Sequence, residues 1–258
     1  MKQILPSEFE GIYPLTESEQ GMIYSSLIRQ DEPIYYDQFR YNLVIRDLLL
    51  FRSAITTLVQ RHPILRSKYY INTYSEPLKV ILEEISVPFD VEDLSSYPLD
   101  YQKNYVNNYI IESNKIRYSF EGDVLWKMKI FRLNNNECEI IWDVHHALLD
   151  GWSVSTFLLD LSYLLTKGTN KLSTLQITYR EFSAYQMMNS DSENKTNFWK
   201  NLMEGYVRNK LPFNYNGHII SDKREMKKYS KVVDNLELLE VLDEITVKYN
   251  VSFKSICL

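Results

Sequence analysis

The chain of 258 residues has little cysteine and no long apolar run. No segment approaches the roughly 18 continuous apolar residues that a membrane-spanning helix needs, and the N-terminal residues lack the apolar core of a signal peptide. Cys138 falls in a strand pattern far from Cys257, so we expect a buried free thiol, although a disulfide stays open as an alternative. These absences favour a cytoplasmic protein without a membrane partner.

Basic clusters and hydrolase motifs are also lacking. The formal net charge is −5, and the lysines and arginines are spread along the chain, so nothing favours a nucleic-acid partner. No Gly-x-Ser-x-Gly occurs, which disfavours a serine hydrolase. No cluster of cysteines or carboxylates accompanies the histidines, so no metal site is expected.

What the chain does contain is an interleaving of strand and helix patterns, which favours an α/β layered fold. Thr16 and Glu19 form a capping box before one helix, residues 39–45 alternate as a strand, and residues 126–144 form a hairpin around an Asn-rich turn. Further helices are expected after Asp47, over 100–112, after Gly151, over 179–188 and 194–203, and after Asn235. Short strands are expected over 67–71, 78–82 and 229–233.

Two of the four histidines are adjacent, in the stretch from His145 to Gly151. A strand pattern leads into them and a helix pattern follows. Neighbouring strand residues point to opposite faces, so one ring should face a cleft and the other the interior. Gly151 would permit an unusual backbone conformation or the close approach of a ligand. The simpler alternative is a pair of structural histidines with Asp150 as the helix N-cap; His218, in a loop, is expected to be solvated.

Five segments resemble, in order, the motifs of condensation domains from non-ribosomal peptide synthetases, which belong to the chloramphenicol-acetyltransferase-like superfamily. His145 to Gly151 matches the signature His-His-x-x-x-Asp-Gly. The other four matching segments are 14–22, the Arg-His-x-x-Leu-Arg stretch 61–66, the Tyr-x-x-Phe stretch 179–184, and 198–202. Glu19 and Tyr69 or Tyr70 depart from the usual residues.

The resemblance implies a mixed sheet flanked by helices and amide-bond formation between thioesters on two carrier proteins. His146 would be the catalytic histidine, acting as a general base or by positioning the amine, and the Gly151 N–H would face the reacting carbonyl. His145 would be structural, and Asp150 would hold the turn by pairing with Arg66. Gln20, Trp152 and Ser153 become candidates for lining the substrate tunnel, which would run between two lobes, although for Gln20 the favoured interpretation is that it holds the lobe together.

The partners implied are an upstream donor carrier protein, a downstream acceptor carrier protein and an adjacent adenylation domain. The substrates would arrive on phosphopantetheine arms, and the domain itself would bind no cofactor.

Members of this family are about twice as long as this chain and have two lobes. We therefore expect residues 1–250 to be the N-terminal lobe and residues 251–258 to begin the crossover to a second lobe. The alternatives are an epimerisation domain, an acyltransferase that uses coenzyme A, or an inactive fragment that docks a carrier protein.

Overall fold

A computed structural model describes residues 9–168, 172–188, 193–207, 232 and 235–257. The chain divides into two compact units, Met1–Leu202 and Met203–Leu258.

The first unit contains strands that pair into two sheets. They are β1 (Phe9–Pro14), β2 (Tyr36–Val44), β3 (Ser67–Tyr70), β4 (Leu78–Leu82), β5 (Phe89–Asp93), β6 (Glu121–Val124), β7 (Trp126–Arg132) and β8 (Glu137–His145). Its helices are α1 (Glu17–Ile28), α2 (Leu48–Arg61), α3 (Leu99–Ser113), α4 (Gly151–Lys167), α5 (Tyr179–Met188) and α6 (Glu193–Leu202). Short 3₁₀ turns occupy Pro63–Arg66 and Asn134–Asn136.

One four-stranded sheet has the order β1-β4-β3-β6 and is antiparallel throughout, and the other has the order β2-β8-β7-β5, with β5 parallel to β7. The chain passes from the first sheet to the second where β6 runs into β7, with Leu125 between them. The backbone N–H of His145 donates to the Leu125 carbonyl over 2.9 Å, so the end of β8 lies at this junction. The predicted α/β fold with a mixed sheet flanked by helices is confirmed.

The larger apolar core of this unit includes the buried faces of the second sheet and of helices α2 and α4. The faces of α2 and α4 that carry apolar residues at helical spacing are buried, as the periodicity predicts. Trp142 of β8 packs on Phe157 of α4, with 4.7 Å between ring centroids. The Trp126 indole of β7 donates to the Leu65 carbonyl over 2.9 Å. This packing fixes β8 and α4, the two elements that lead into and out of the stretch from His145 to Gly151, which we call the histidine turn.

Several local predictions are confirmed. The β7–β8 hairpin turns at Asn134–Asn136, and Asn136 has a positive φ of 60°, a conformation that asparagine tolerates better than most residues. Thr16 and Glu19 form the expected capping box of α1. Cys138 is a buried free thiol.

The second unit contains α7 (Leu236–Tyr249), capped by Asn235 as expected, and α8 (Phe253–Cys257). The predicted boundary between residues 250 and 251 falls between these helices and stays a prediction. The predicted strand 229–233, apart from Val232, and the loop residue His218 lie outside the described residues.

None of the helices in the described ranges has both the length and the apolar character needed to cross a membrane.

Candidate active site

The histidine turn has the strand–turn–helix form that the sequence predicts. Strand β8 ends at His145, the Leu148 N–H donates to the His145 carbonyl over 2.9 Å, and α4 begins at Gly151. Ala147, Leu148 and Leu149 are buried. These three buried residues therefore anchor the turn in the core, and the polar side chains lie at its two ends.

His145 faces the interior and is held neutral. Its side chain is fully buried, Nδ1 accepts the Ala147 N–H over 3.2 Å, and Nε2 lies 2.9 Å from the Ser26 hydroxyl. That hydroxyl donates to the Ile34 carbonyl over 2.9 Å, so it accepts from Nε2–H and the tautomer is fixed. Burial, with a smaller contribution from the neighbouring His146, lowers the pKa of His145 to about 3. A structural role therefore suits His145.

His146 faces outwards, as strand alternation predicts. Its side chain is 41% exposed, and Nδ1 lies 2.7 Å from Oδ2 of Asp37 on β2. A carboxylate oxygen can only accept, so Nδ1 carries the ring proton and Nε2 is left with a lone pair. The ring can therefore accept a proton or a hydrogen bond through Nε2, which is the chemistry expected of a catalytic histidine.

Asp150 holds the turn, but through a different contact from the one predicted. Its Oδ1 accepts the Ser153 N–H over 2.8 Å and the Ser153 hydroxyl over 2.7 Å, as the N-cap of α4. These two hydrogen bonds lower the pKa of Asp150. The predicted ion pair with Arg66 is wrong, because the Arg66 guanidinium pairs with Glu10 instead. Asp150 is the helix cap of the simpler alternative.

Arg66 is buried elsewhere in the unit. Its guanidinium lies 2.5 Å from Glu10 Oε2 of β1 and donates to the carbonyls of Val59, Gln60 and Leu82. The first two of these carbonyls lie in the last turn of α2, which needs donors from outside the helix. Arg66 therefore joins the end of α2 to the first sheet rather than to the histidine turn.

The cap at Asp150 gives a direct prediction. Asp150→Ala should lower the free energy of unfolding by about 1 kcal/mol, because the two hydrogen bonds of the N-cap are lost. Asp150→Ser should keep most of the stability that the cap supplies, since serine is also a good N-cap residue. Urea denaturation of the two variants measures the difference. Ser155→Ala is the control, since that hydroxyl donates to the Gly151 carbonyl on the same helix without capping it. An Asp150→Ala variant as stable as the parent chain would contradict the capping role.

Gly151 and Trp152 form the open side of the turn. Of the two possibilities that glycine permits at this position, the structure does not show the unusual conformation, because Gly151 has ordinary helical backbone. A Cβ there would meet nothing within 4 Å, which leaves room for a ligand. Trp152 is 84% exposed. The N–H groups of the first helical turn carry partial positive charge, which stabilises an anion.

The remaining tunnel candidates make local contacts. The Ser153 hydroxyl is engaged by Asp150, and the Gln20 amide donates to the Leu15 carbonyl over 3.0 Å. Contact of either residue with a substrate stays a prediction. Among the described residues, no group of three or more histidines, cysteines or carboxylates is arranged to hold a metal ion.

The condensation-domain family model matches residues 9–258. The chain belongs to the condensation-domain family. Its match starts at β1 and includes the histidine turn, so the resemblance inferred from the five motifs is confirmed.

Curated relatives of this condensation-domain chain are synthetases of much greater length. It is 26% identical over 212 residues to bacitracin synthase 1 of Bacillus licheniformis, which covers 80% of the chain and 4% of the relative. It is 23% identical over 259 aligned positions to bacitracin synthase 3 of the same organism, which covers 97% of the chain and 4% of the relative. The chain thus spans less than a tenth of the length of either relative.

Two solved structures share the fold of this chain. The starter condensation domain of rhizomide synthetase RzmA matches with a TM-score of 0.66 at 12% identity, over 77% of this chain and 49% of that one. The cyclization-docking bidomain EpoB of Sorangium cellulosum matches with a TM-score of 0.65 at 17% identity, over 78% of this chain and 42% of that one. The chain spans about half of the first structure.

Sequence reasoning missed three residues that support the turn or its neighbourhood. Asp37 contacts the ring of His146, Ser26 contacts that of His145, and Glu10 takes the place predicted for Asp150 beside Arg66. Each acts across at least 56 positions of sequence separation. Strand alternation could have placed Asp37 on one face of β2, but which strand pairs with β2 is not written in any local pattern.

Proposed function

We propose that this chain takes part in amide-bond formation, in which an acyl or peptidyl thioester on one carrier protein is attacked by the α-amine of an aminoacyl thioester on another. The observation that carries the proposal is the state of His146. Its ring is about two-fifths exposed and its Nδ1 faces a carboxylate, so Nε2 is available to an amine. Membership of the condensation-domain family supports the reaction class.

The reaction forms a C–N bond and breaks a C–S bond. The amine nitrogen attacks the thioester carbonyl carbon, the carbonyl electrons become an oxyanion, and the amine loses a proton to His146 Nε2. When the oxyanion collapses, the donor thiolate leaves and takes that proton. An imidazole suits both transfers, because its ordinary pKa lies near neutral pH.

The start of α4 would stabilise the oxyanion. In the proposal the Gly151 N–H lies beside the reacting carbonyl, where the open space above Gly151 admits it. Backbone donors that are fixed before the reaction stabilise developing negative charge without reorganising. The exposed indole of Trp152 would contact the substrate arms next to this position.

We further propose that this chain supplies one lobe of a two-lobed enzyme, with its partners and compartment as expected from the sequence. The donor and acceptor carrier proteins would present the substrates on phosphopantetheine arms, and an adenylation domain would load the acceptor carrier. The lobe itself would bind no cofactor. The reaction would occur in the cytoplasm. The support is that this chain matches about half of a solved condensation domain and that one matched structure is a four-domain non-ribosomal peptide synthetase.

The test is a condensation assay with separately loaded donor and acceptor carriers. We expect the full two-lobed gene product to form dipeptidyl thioester on the acceptor carrier, and the 258-residue chain alone to form none above background, because in this proposal the substrate tunnel lies between two lobes and the chain supplies only one of them. Mass spectrometry of the acceptor arm measures both. Full turnover by the 258-residue chain would contradict the two-lobe proposal.

Two further arms of the assay separate the alternatives. Inversion of a carrier-bound amino acid with no second carrier present would indicate an epimerisation domain. Transfer from an acyl-coenzyme A to a free amine at the rate seen with carriers would indicate a coenzyme-A-dependent acyltransferase. Either outcome would replace the proposed reaction.

A further inference from the structure

The carboxylate that contacts His146 is placed by strand register. In the antiparallel β2–β8 pair, Tyr36 lies opposite His145 and Asp37 lies opposite Val144. Side chains two residues apart on a strand point to the same face, and facing residues of an antiparallel pair share a face. Because His146 follows Val144 by two residues, Asp37 lies on the same face of the sheet as His146. Its side chain reaches diagonally to the imidazole ring.

The contact decides which ring nitrogen is free. Oδ2 of Asp37 lies 2.7 Å from His146 Nδ1, and both side chains are about two-fifths exposed. An unrestrained neutral imidazole favours the proton on Nε2, which would leave the lone pair on Nδ1. With an acceptor fixed beside Nδ1, the proton stays on Nδ1 and the lone pair is directed outwards from Nε2.

The backbone beside Asp37 supports the same ring. The His146 N–H donates to the Tyr35 carbonyl over 2.7 Å, and Tyr35 has a φ of 61°, a left-handed conformation that is uncommon for a bulky residue. The Tyr35 ring lies nearly parallel to that of His146, with 17° between the planes and 6.5 Å between the centroids. Strained backbone persists where the surrounding contacts hold it, often at functional sites.

We propose that Asp37 is the positioning residue of His146, which holds Nδ1 protonated and presents Nε2 to the acceptor amine. Asp37 acts through the ring and touches no reacting atom. The proposal rests on the function proposed above, because it assigns a task to Nε2 in that reaction.

The first experiment reads the tautomer without any reaction. In the chain labelled with ¹⁵N-histidine, two-dimensional NMR near neutral pH distinguishes a protonated from an unprotonated ring nitrogen, and His146→Gln assigns the signals. We expect His146 to carry its proton on Nδ1, and Asp37→Asn to shift the population towards the Nε2–H form, because an amide can donate as well as accept. A wild-type His146 with its proton on Nε2 would overturn the proposal.

The second experiment measures condensation by the full gene product. Asp37→Asn should lower kcat about tenfold to hundredfold with KM for the acceptor carrier unchanged, since the base is misoriented while binding is kept. Asp37→Glu should recover most of the rate, because it restores a carboxylate, which can only accept a hydrogen bond. Asp31→Asn, which removes the same charge from the exposed loop before β2, is the matched control and should match the wild-type rate.

The two levels of proposal fail in different ways. If the wild-type gene product forms no dipeptidyl thioester, the proposed function is wrong whatever the NMR shows. If His146→Ala is inactive but Asp37→Asn keeps both the wild-type kcat and the wild-type tautomer, the positioning proposal is wrong and the proposed function stands. A rise in KM with kcat unchanged would also overturn it, because that result assigns Asp37 to binding.

Discussion

Replacing His146 by alanine in the full gene product is expected to lower the condensation rate about 10²- to 10⁴-fold, while both carrier proteins still load. Of the two histidines in the turn, His145 is fully buried and has its pKa lowered to about 3, so it cannot replace the lost ring. Single-turnover formation of dipeptidyl thioester measures the rate. Unchanged turnover would contradict the assignment of this histidine.

A second variant separates the two tasks that His146 could perform. His146→Gln keeps a group that can accept a hydrogen bond from the amine but has no basic nitrogen. If the ring accepts the proton, His146→Gln should be as slow as His146→Ala; if the ring mainly positions the amine, the glutamine variant should be much faster. His62→Ala is the control, because that ring contacts Asp160 of α4 over 3.3 Å, away from the reacting groups.

Predictions from local sequence succeeded where the controlling contact is itself local. The caps at Thr16, Asp47 and Asn235 each depend on a side chain and a backbone N–H two or three residues away, and such contacts are written in short motifs. Strand alternation is local in the same sense, and it predicts that the side chains of His145 and His146 point to opposite faces of the sheet. The site could therefore be located, and its two rings distinguished, from sequence alone.

Predictions failed or were absent where the contact joins distant segments. The resemblance implied an ion pair between Arg66 and Asp150. In the structure Arg66 pairs with Glu10, and Asp150 caps the helix that it precedes, α4. Strands β1, β5 and β6 were not predicted: β5 pairs in parallel with β7 at a sheet edge, and β1 and β6 both have irregular register. A strand of this kind is defined by its partner, which no local pattern specifies.

Glu19 makes one local contact that was predicted and one contact with a distant segment that was not. Its place in the capping box was predicted and is confirmed, with the carboxylate accepting the Thr16 N–H over 2.8 Å. Its second contact was not predicted: Oε1 lies 2.5 Å from Nζ of Lys79, in the central strand β4. A buried lysine is rare enough that sequence patterns assign such a residue to the surface.

The Glu19–Lys79 pair lies next to the histidine turn and is closed to solvent. The exposed fractions of the two side chains are 3% for Glu19 and 0% for Lys79. The Tyr69 hydroxyl lies 3.3 Å from Glu19 Oε1 and 3.4 Å from the Ala147 carbonyl, and Lys79 Nζ lies 3.6 Å from the centre of the Tyr179 ring. Burial lowers the pKa of Lys79, and the neighbouring carboxylate opposes that shift.

Lys79→Met should therefore lower the free energy of unfolding by about 3–5 kcal/mol, because it leaves the Glu19 carboxylate buried without its counter-ion. The double variant Glu19→Gln/Lys79→Met should recover much of this loss, since no charge is then buried. Urea denaturation followed by the fluorescence of the buried Trp126 and Trp142 measures the unfolding of this unit.

Lys115→Met is the matched control for burial. Lys115 pairs with Glu112 at the same 2.5 Å separation, but the two side chains are 64% and 67% exposed, and an exposed pair contributes about 0–1 kcal/mol. If burial sets the cost, Lys79→Met should be several times more destabilising than Lys115→Met although the two distances are equal. Equal losses in the two variants, or a double variant no more stable than Lys79→Met, would contradict the prediction that a buried, unpaired Glu19 carboxylate causes the loss of stability in Lys79→Met.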